Sequence, residues 1–453
     1  MKRILLVISV LTLCLGLFAA CEKSTPDPTT DTNGNQQSDT QQTDSQKETE
    51  DKSSSSDKQK ITVWAWDPNF NIAIMNEAAA IYQETHDNVE FEIVEMAKAD
   101  VEQKLHTTLA SKMTEGLPDI VLIEDYNSQK YLQSYPGAFA DLTDKINYDD
   151  FAPYKVELMT VDSRVYGVPF DSGVSGFFYR SDILEEAGYS ADDLNNITWD
   201  RLIEIGKDVK AKTGKAILSF DKADGGLMRI MLNSSGLWYF DAEGNITVSN
   251  NEALKEAMET YKKILDADII IPTAGWNEWV AAFNNGDAAS VISGCWIVGS
   301  VKAATDQSGK WAAAPVPRLN YDKSINASNL GGSSWYILEG AQNKDLAIDF
   351  MNEVFGGNVD FYQKILVNNG AVASYLPAIE GSAYSAADEF FGGQAVFADM
   401  GKWMNEIPSI NYGLYTYEAD AAIIANLENY LSGAKTVEEA LQDAEAQLKS
   451  QIQ

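Results

Sequence analysis

The chain has 453 residues, 45% of them apolar, and a formal net charge of −33. That length exceeds one typical core, so two lobes are expected, and so acidic a surface argues against nucleic acid and against adsorption to anionic lipid. Three cysteines (Cys14, Cys21, Cys295) and two histidines twenty residues apart (His86, His106) offer no disulfide in a mature chain and no zinc-type ligand set, so no metal or cofactor is expected.

Lys2 and Arg3 precede an apolar run, Ile4 to Ala20, with the length and small-residue end of a secretion signal over residues 1–20. Its last residues, Leu17-Phe18-Ala19-Ala20-Cys21, look like a lipobox, with Phe18 where leucine is usual. The other reading is an ordinary signal beside an incidental cysteine; lipidation of Cys21 is favoured because a bare terminal thiol invites oxidation. Glu22 to Lys60 carry no aliphatic or aromatic side chain. Residues 21–60 therefore read as a lipidated, disordered tether, with ends roughly 35 Å apart on average and about 130 Å at full stretch.

From Ile61 short apolar runs alternate with longer amphipathic ones, the pattern of α/β lobes. Strands are predicted at Ile61–Trp66, Val89–Val94 and Asp119–Ile123, separated by helices over Asn71–Glu84 and Val101–Lys112. Ligands lie beyond the carboxyl ends of such strands. Those ends bring Trp64 and Trp66 on the first strand and Asp125 and Tyr126 after the third, mixing flat rings with carboxylates.

The run Gly167 to Gly188 contains a short strand, Val168–Phe170, with Asp171 where it stops in a Ser/Gly loop. A second apolar run, Gly176–Tyr179, leads to a helix that Ser181 would cap and Gly188 would end. From the pattern alone, Asp171 either meets a ligand or caps a turn. Further on, Thr198 caps a helix stopped by Gly214, and Ile217–Phe220 is a strand. Then come Gly275-Trp276-Asn277-Glu278-Trp279, Phe283-Asn-Asn-Gly-Asp-Ala-Ala289, a strand to Ile292, and Gly294-Cys295-Trp296. Ala314-Pro-Val-Pro317 precedes Gly331-Gly332-Ser333-Ser334-Trp335. Near the end, Pro408 to Tyr417 holds Tyr412, Tyr415 and Tyr417, and Thr436 with Glu439 forms a capping box.

Three of these blocks resemble the sugar-binding family of bacterial extracellular solute-binding proteins, in its lactose- and arabinoside-binding branch. They are Pro169-Phe-Asp171 with Phe178-Tyr-Arg180, Phe283 to Ala289 followed by Gly294-Cys295-Trp296, and Gly331-Gly332-Ser333. The likeness spans nearly everything from Ile61 onward; Val372-Ala373-Ser374 departs from it where the family often has Pro-Ala-Arg. It implies an α/β, two-lobe periplasmic-binding-protein-like fold (type II), each lobe a mostly parallel sheet flanked by helices, with hinge crossovers. The lobes would be 61–170 with 318–370, and 171–317 with 371–453. It also implies an extracytoplasmic, lipid-anchored protein that is not an enzyme, captures a neutral oligosaccharide between its lobes and hands it to an ABC importer permease.

Sugar rings need flat side chains for their faces and acceptors or amides for their hydroxyls. The expected ligand-binding residues are Trp64, Trp66, Asp125, Tyr126, Asp171, Trp276, Trp296, Gly332, Ser333, Tyr412 and Tyr415. Two stacked rings supply about 5 kcal/mol against the 8 or so of micromolar binding, so Asp171, Asp125 and the Gly332-Ser333 backbone must supply much of the rest. Closure around one ligand needs only a monomer. A secreted, lipid-anchored glycoside hydrolase using Asp125 and Asp171 as its carboxylate pair is the alternative, although no independent acid/base motif stands out. A structural or adhesive lipoprotein without a small ligand is a third reading.

Overall fold

A computed structural model describes residues 58–452 apart from Thr114. The predicted signal, Cys21 and the tether up to residue 57 lie outside the described residues. Gln59 and Lys60, which composition assigned to the tether, pair in the first strand.

Eleven strands follow in chain order: β1 (Gln59–Ala65), β2 (Val89–Glu95), β3 (Ile120–Glu124), β4 (Thr160–Val161), β5 (Arg164–Val165), β6 (Gly167–Arg180), β7 (Leu218–Asp221), β8 (Ile270–Thr273), β9 (Ser290–Gly294), β10 (Trp311–Pro315) and β11 (Asn329–Ile337). β1 pairs in parallel with both β2 and β3. The helices between them, Asn71–Gln83 and Lys98–Ala110, are the crossovers that parallel pairing requires. The first four residues of β3 are buried on both faces, which is why the sequence there reads as an unbroken apolar run rather than an alternation.

The main sheet is seven-stranded, in the order β10-β6-β11-β3-β1-β2 with β9 also on β6. Its organising element is β6, fourteen residues of which only Arg180 is not buried. Gly167 to Val174 pair antiparallel with β11, whereas Ser175 to Arg180 lie between β9 and β10, both antiparallel. β7 and β8 form a parallel pair that meets β9 through the Ala216–Ala288 bridge.

This corrects two local expectations. Asp171 does not end a strand: the Ser/Gly segment stays extended because β11 pairs with it. Gly173 allows the closest approach, since a Cβ there would collide with the Leu330 carbonyl. Across from it the β11 register shifts between Asn329 and Gly332, and Gly331 and Gly332 take φ of 82° and 97°, values that favour glycine. Ser181 does not cap the helix Ser181–Glu186; its hydroxyl donates to the Lys310 carbonyl. Other caps match the sequence: Thr198 accepts from the Arg201 amide, Gly214 is left-handed at φ 73°, and Thr436 and Glu439 satisfy each other's amides.

Candidate functional site

A cleft of about 600 Å³ opens at the carboxyl ends of β1, β3, β7 and β9, with the middle of β6 and the start of β11 as its floor. This volume lies within the range of small-ligand sites. At the end of β1 the chain turns sharply, because the Asn71 side chain accepts from the Trp66 and Asp67 amides while Asp67 accepts from those of Asn69 and Phe70. That turn leaves Trp66 and Asp67 on the cleft wall.

The facing wall is aromatic. The helix Gly275–Asn284 presents Trp276 and Trp279, whose ring centroids are 5.4 Å apart, and Trp296 lies 5.9 Å from Trp276 with the planes tilted by 33°. Hydrogen bonds fix two of the three: Trp279 Nε1 donates to the Ser219 carbonyl and Trp296 Nε1 to that of Leu330, each at 2.9 Å. Gly294 makes the second bond possible, since the Trp296 indole folds back into the space a Cβ would fill. Asp221 secures the start of the helix by accepting from the Gly275 amide at 2.7 Å. Trp276 has no such tie and stays 51% exposed, an unusual state for so large an apolar ring.

The floor is polar. Asp171 Oδ1 accepts from both the amide and the hydroxyl of Ser333, at 2.8 and 2.6 Å. Directly beneath Gly332, the Asp125 carboxylate takes both oxygens to Lys155 Nζ, at 2.9 and 2.7 Å, and a further bond from the Ser334 hydroxyl. The third Lys155 bond goes to the Ser333 carbonyl, and the whole assembly is out of water. Burial lifts the carboxyl of Asp125 to about 6, against the pull of Lys155, and raises that of Asp171 for the same reason.

At the remaining end, Lys98 pairs with Glu124 at 2.5 Å, and the Tyr417 phenol donates to the same carboxylate. Arg229 reaches Asp224 at 3.1 Å and Asp420 at 3.5 Å, and lies over the Tyr126 ring. Tyr126 itself stacks on Trp238 and accepts from the Gly331 amide. Both cleft cations are thus matched by carboxylates, and Asp67, Asp171 and Asp221 add further negative charge. The arrangement suits hydroxyl donors and flat apolar faces, and is unsuited to an anion.

Of the residues singled out in the sequence, Trp66, Tyr126, Asp171, Trp276, Trp296, Gly332 and Ser333 line this cleft together. Four do not. Trp64 is sealed under the helix Lys98–Ala110, with Lys104 over its ring. Asp125 is turned to Lys155. Tyr412 packs behind Tyr126 and Trp238, and Tyr415 lies beside Lys130. Sequence reasoning missed Arg229, in a helix whose other residues are mostly apolar, and Lys98. It left Trp279 out of the expected ligand-binding set, although the spacing Trp276-x-x-Trp279 puts both rings on one helical face. Elsewhere, donor atoms of His86, Asp349 and Glu353 come within 4.8 Å of one another, but none of the three lines the cleft.

Comparison with known proteins agrees with the geometry. Residues 77–390 match the family described as bacterial extracellular solute-binding protein. A lactose-binding protein of Rhizobium radiobacter is 54% identical over 87% of this chain and 93% of its own. An arabinooligosaccharide-binding protein of Halalkalibacterium halodurans is 25% identical over 76% of this chain and 79% of its own. Among solved structures, an ABC transporter associated binding protein from B. animalis subsp. lactis, in complex with β-1,6-galactobiose, superposes with a TM-score of 0.69. It is 24% identical, over 86% of this chain and 97% of that one. This and similar matches establish the two-lobe, periplasmic-binding-protein-like fold.

Proposed function

We propose that this chain, which belongs to the bacterial extracellular solute-binding protein family, captures a neutral oligosaccharide of the lactose type in its cleft and delivers it to an ABC importer. Family membership places it among extracytoplasmic solute binders rather than enzymes. Of the carboxylate pair that a hydrolase would need, Asp125 is buried and takes Lys155 through both oxygens.

One observation carries the proposal: flat indoles and a buried carboxylate share a cleft in which no cation is free of a carboxylate partner. Trp276 and Trp296 supply surfaces for pyranose faces, and Asp171, through the oxygen that Ser333 leaves open, with the backbone of Gly332, supplies groups for the hydroxyl rim. The lobes are residues 61–170 with 318–370, and 171–317 with 371–453. The crossing of β6 and β11 supports a hinge there, because glycines with positive φ and a shifted register absorb rotation at small steric cost. Ligand touching both lobes then favours the closed form. Lipidation of Cys21 holds the body at the outer face of the cell membrane, and a monomer suffices. Among the described residues no helix is long and apolar enough to cross a membrane.

The experiment is titration calorimetry of the purified protein with lactose and with arabino-, xylo- and malto-oligosaccharides, with product analysis on the same mixtures. Saturable binding of lactose without hydrolysis is expected. A chain indifferent to every sugar in the panel, or one that cleaves its ligand, refutes the reading.

A further inference from the structure

Two side chains outside the cleft join elements that the cleft lies between. Lys130 Nζ meets Glu418 Oε1 at 2.7 Å, with both side chains about a third exposed, and Lys130 also lies 5.9 Å from the centre of the Tyr415 ring. Neither Lys130 nor Glu418 lines the cleft.

Each partner is rooted on its own side. The helix Asp125–Ser134, which carries Lys130, is tied to β3, β11 and the segment before β4. Asp125 binds Lys155, Ser128 accepts from the Tyr336 phenol, and Gln129 donates to the Leu158 and Thr160 carbonyls. The helix Thr416–Leu431, which carries Glu418, is tied to the opposite body. Thr416 accepts from Trp238 Nε1, and Asp420 accepts from the Tyr239 phenol and faces Arg229. Beside the ion pair, the early residues of the two helices also meet across the same seam. Tyr126 inserts between Trp238 and Tyr417, and the Tyr417 phenol reaches Glu124.

We propose that Lys130 and Glu418 are positioning residues for ligand binding: their ion pair spans the two lobes and holds them in the juxtaposition that forms the cleft. This rests on the capture reading for its ligand and on the lobe boundaries proposed with it for its geometry. The pair sits at the lobe seam, so rotation about the β6–β11 crossing separates its partners while leaving each rooted in its own body. Apparent affinity scales with the fraction of molecules in the binding-competent form, so a contact made only in that form strengthens binding without touching the ligand.

A neutral sugar makes the test sharp, because its own contacts carry no net charge for salt to screen. Lactose affinity is measured for wild type, Lys130→Ala, Glu418→Ala, the double alanine variant and the exchanged pair Lys130→Glu/Glu418→Lys, at low and high salt. Each single variant is expected to lose about two- to fivefold in affinity, the range of a partly exposed ion pair. The double variant should lose no more than either single one, and the exchange should recover most of the loss. Wild-type affinity should fall as salt rises, and the alanine variants should lose that dependence. Solution scattering without ligand gives a second readout: the alanine variants should show a larger radius of gyration than wild type, and the exchanged pair should not. If lactose fails to bind wild type, the capture reading falls and scattering alone decides. Unchanged affinity and radius in the single variants, or an exchange that restores neither, overturns the proposal.

Discussion

Trp276→Ala isolates stacking from everything else the cleft does. The ring is half exposed, donates no hydrogen bond, and packs against Trp279 edge-on and Trp296 at a tilt. Its removal therefore leaves no buried polar atom stranded. An indole side chain offers about 250 Å², so the exposed half presents about 120 Å², of which one pyranose face covers about 100 Å². At roughly 25 cal/mol per Å² that is about 2.5 kcal/mol, or about 70-fold in Kd. The assay is calorimetric titration with lactose, paired with thermal melts of the unliganded protein. Trp276→Phe keeps part of the platform and should fall between the two. A variant that melts like wild type and binds within twofold of it refutes the stacking role. Trp296→Ala is a poorer probe, because it also strips the Leu330 carbonyl of its partner.

Three further outcomes follow from the buried groups. Lys155→Met leaves the Asp125 carboxylate without its counter-ion in a dry site, and should cost about 3–5 kcal/mol, read as a lowered urea midpoint. The elevated Asp125 carboxyl, near 6 in the native state, binds its proton more tightly there than when unfolded. Its contribution to stability is therefore greatest at low pH and is lost as pH climbs from about 4 through about 6. The urea midpoint of wild type minus that of Asp125→Asn should fall across that window, and a flat difference contradicts it. Burial also pushes the Cys295 thiol far above its ordinary range, with its S–H directed at the Ser172 carbonyl. An aromatic disulfide reagent should therefore label it only after unfolding, and rapid labelling of the native protein would show the site to be open.

How much of this was legible beforehand depends on the range of the interaction. Parallel β1, β2 and β3 with their helices follow from apolar periodicity, which is local, and Thr198, Gly214 and Thr436 announce helix ends through their own side chains. Asp171 lines the cleft, as its place in the sequence led one to expect, but its setting was not legible. A Ser/Gly run signals a loop until a distant strand pairs with it, and β11 lies more than 150 residues further on. Asp125 misled for a related reason: its partner Lys155 is separated by 30 residues and sits in an ordinary short helix. Trp64 alternates correctly with its strand neighbours, yet the face it takes is covered by the helix Lys98–Ala110. Period tells which residues share a face, and only packing tells what covers it.

The unbroken course of β6 limits how this molecule can be dissected. A fragment ending near Asp171 would lack β11, the partner of both β3 and the first part of β6, and one starting there would leave β11 without those neighbours. Neither piece is a self-sufficient module, and each would carry raw, adhesive sheet margins. Cutting the gene at this strand should give two insoluble products that regain solubility only when made together, so tags and reporter insertions belong in the surface turns instead.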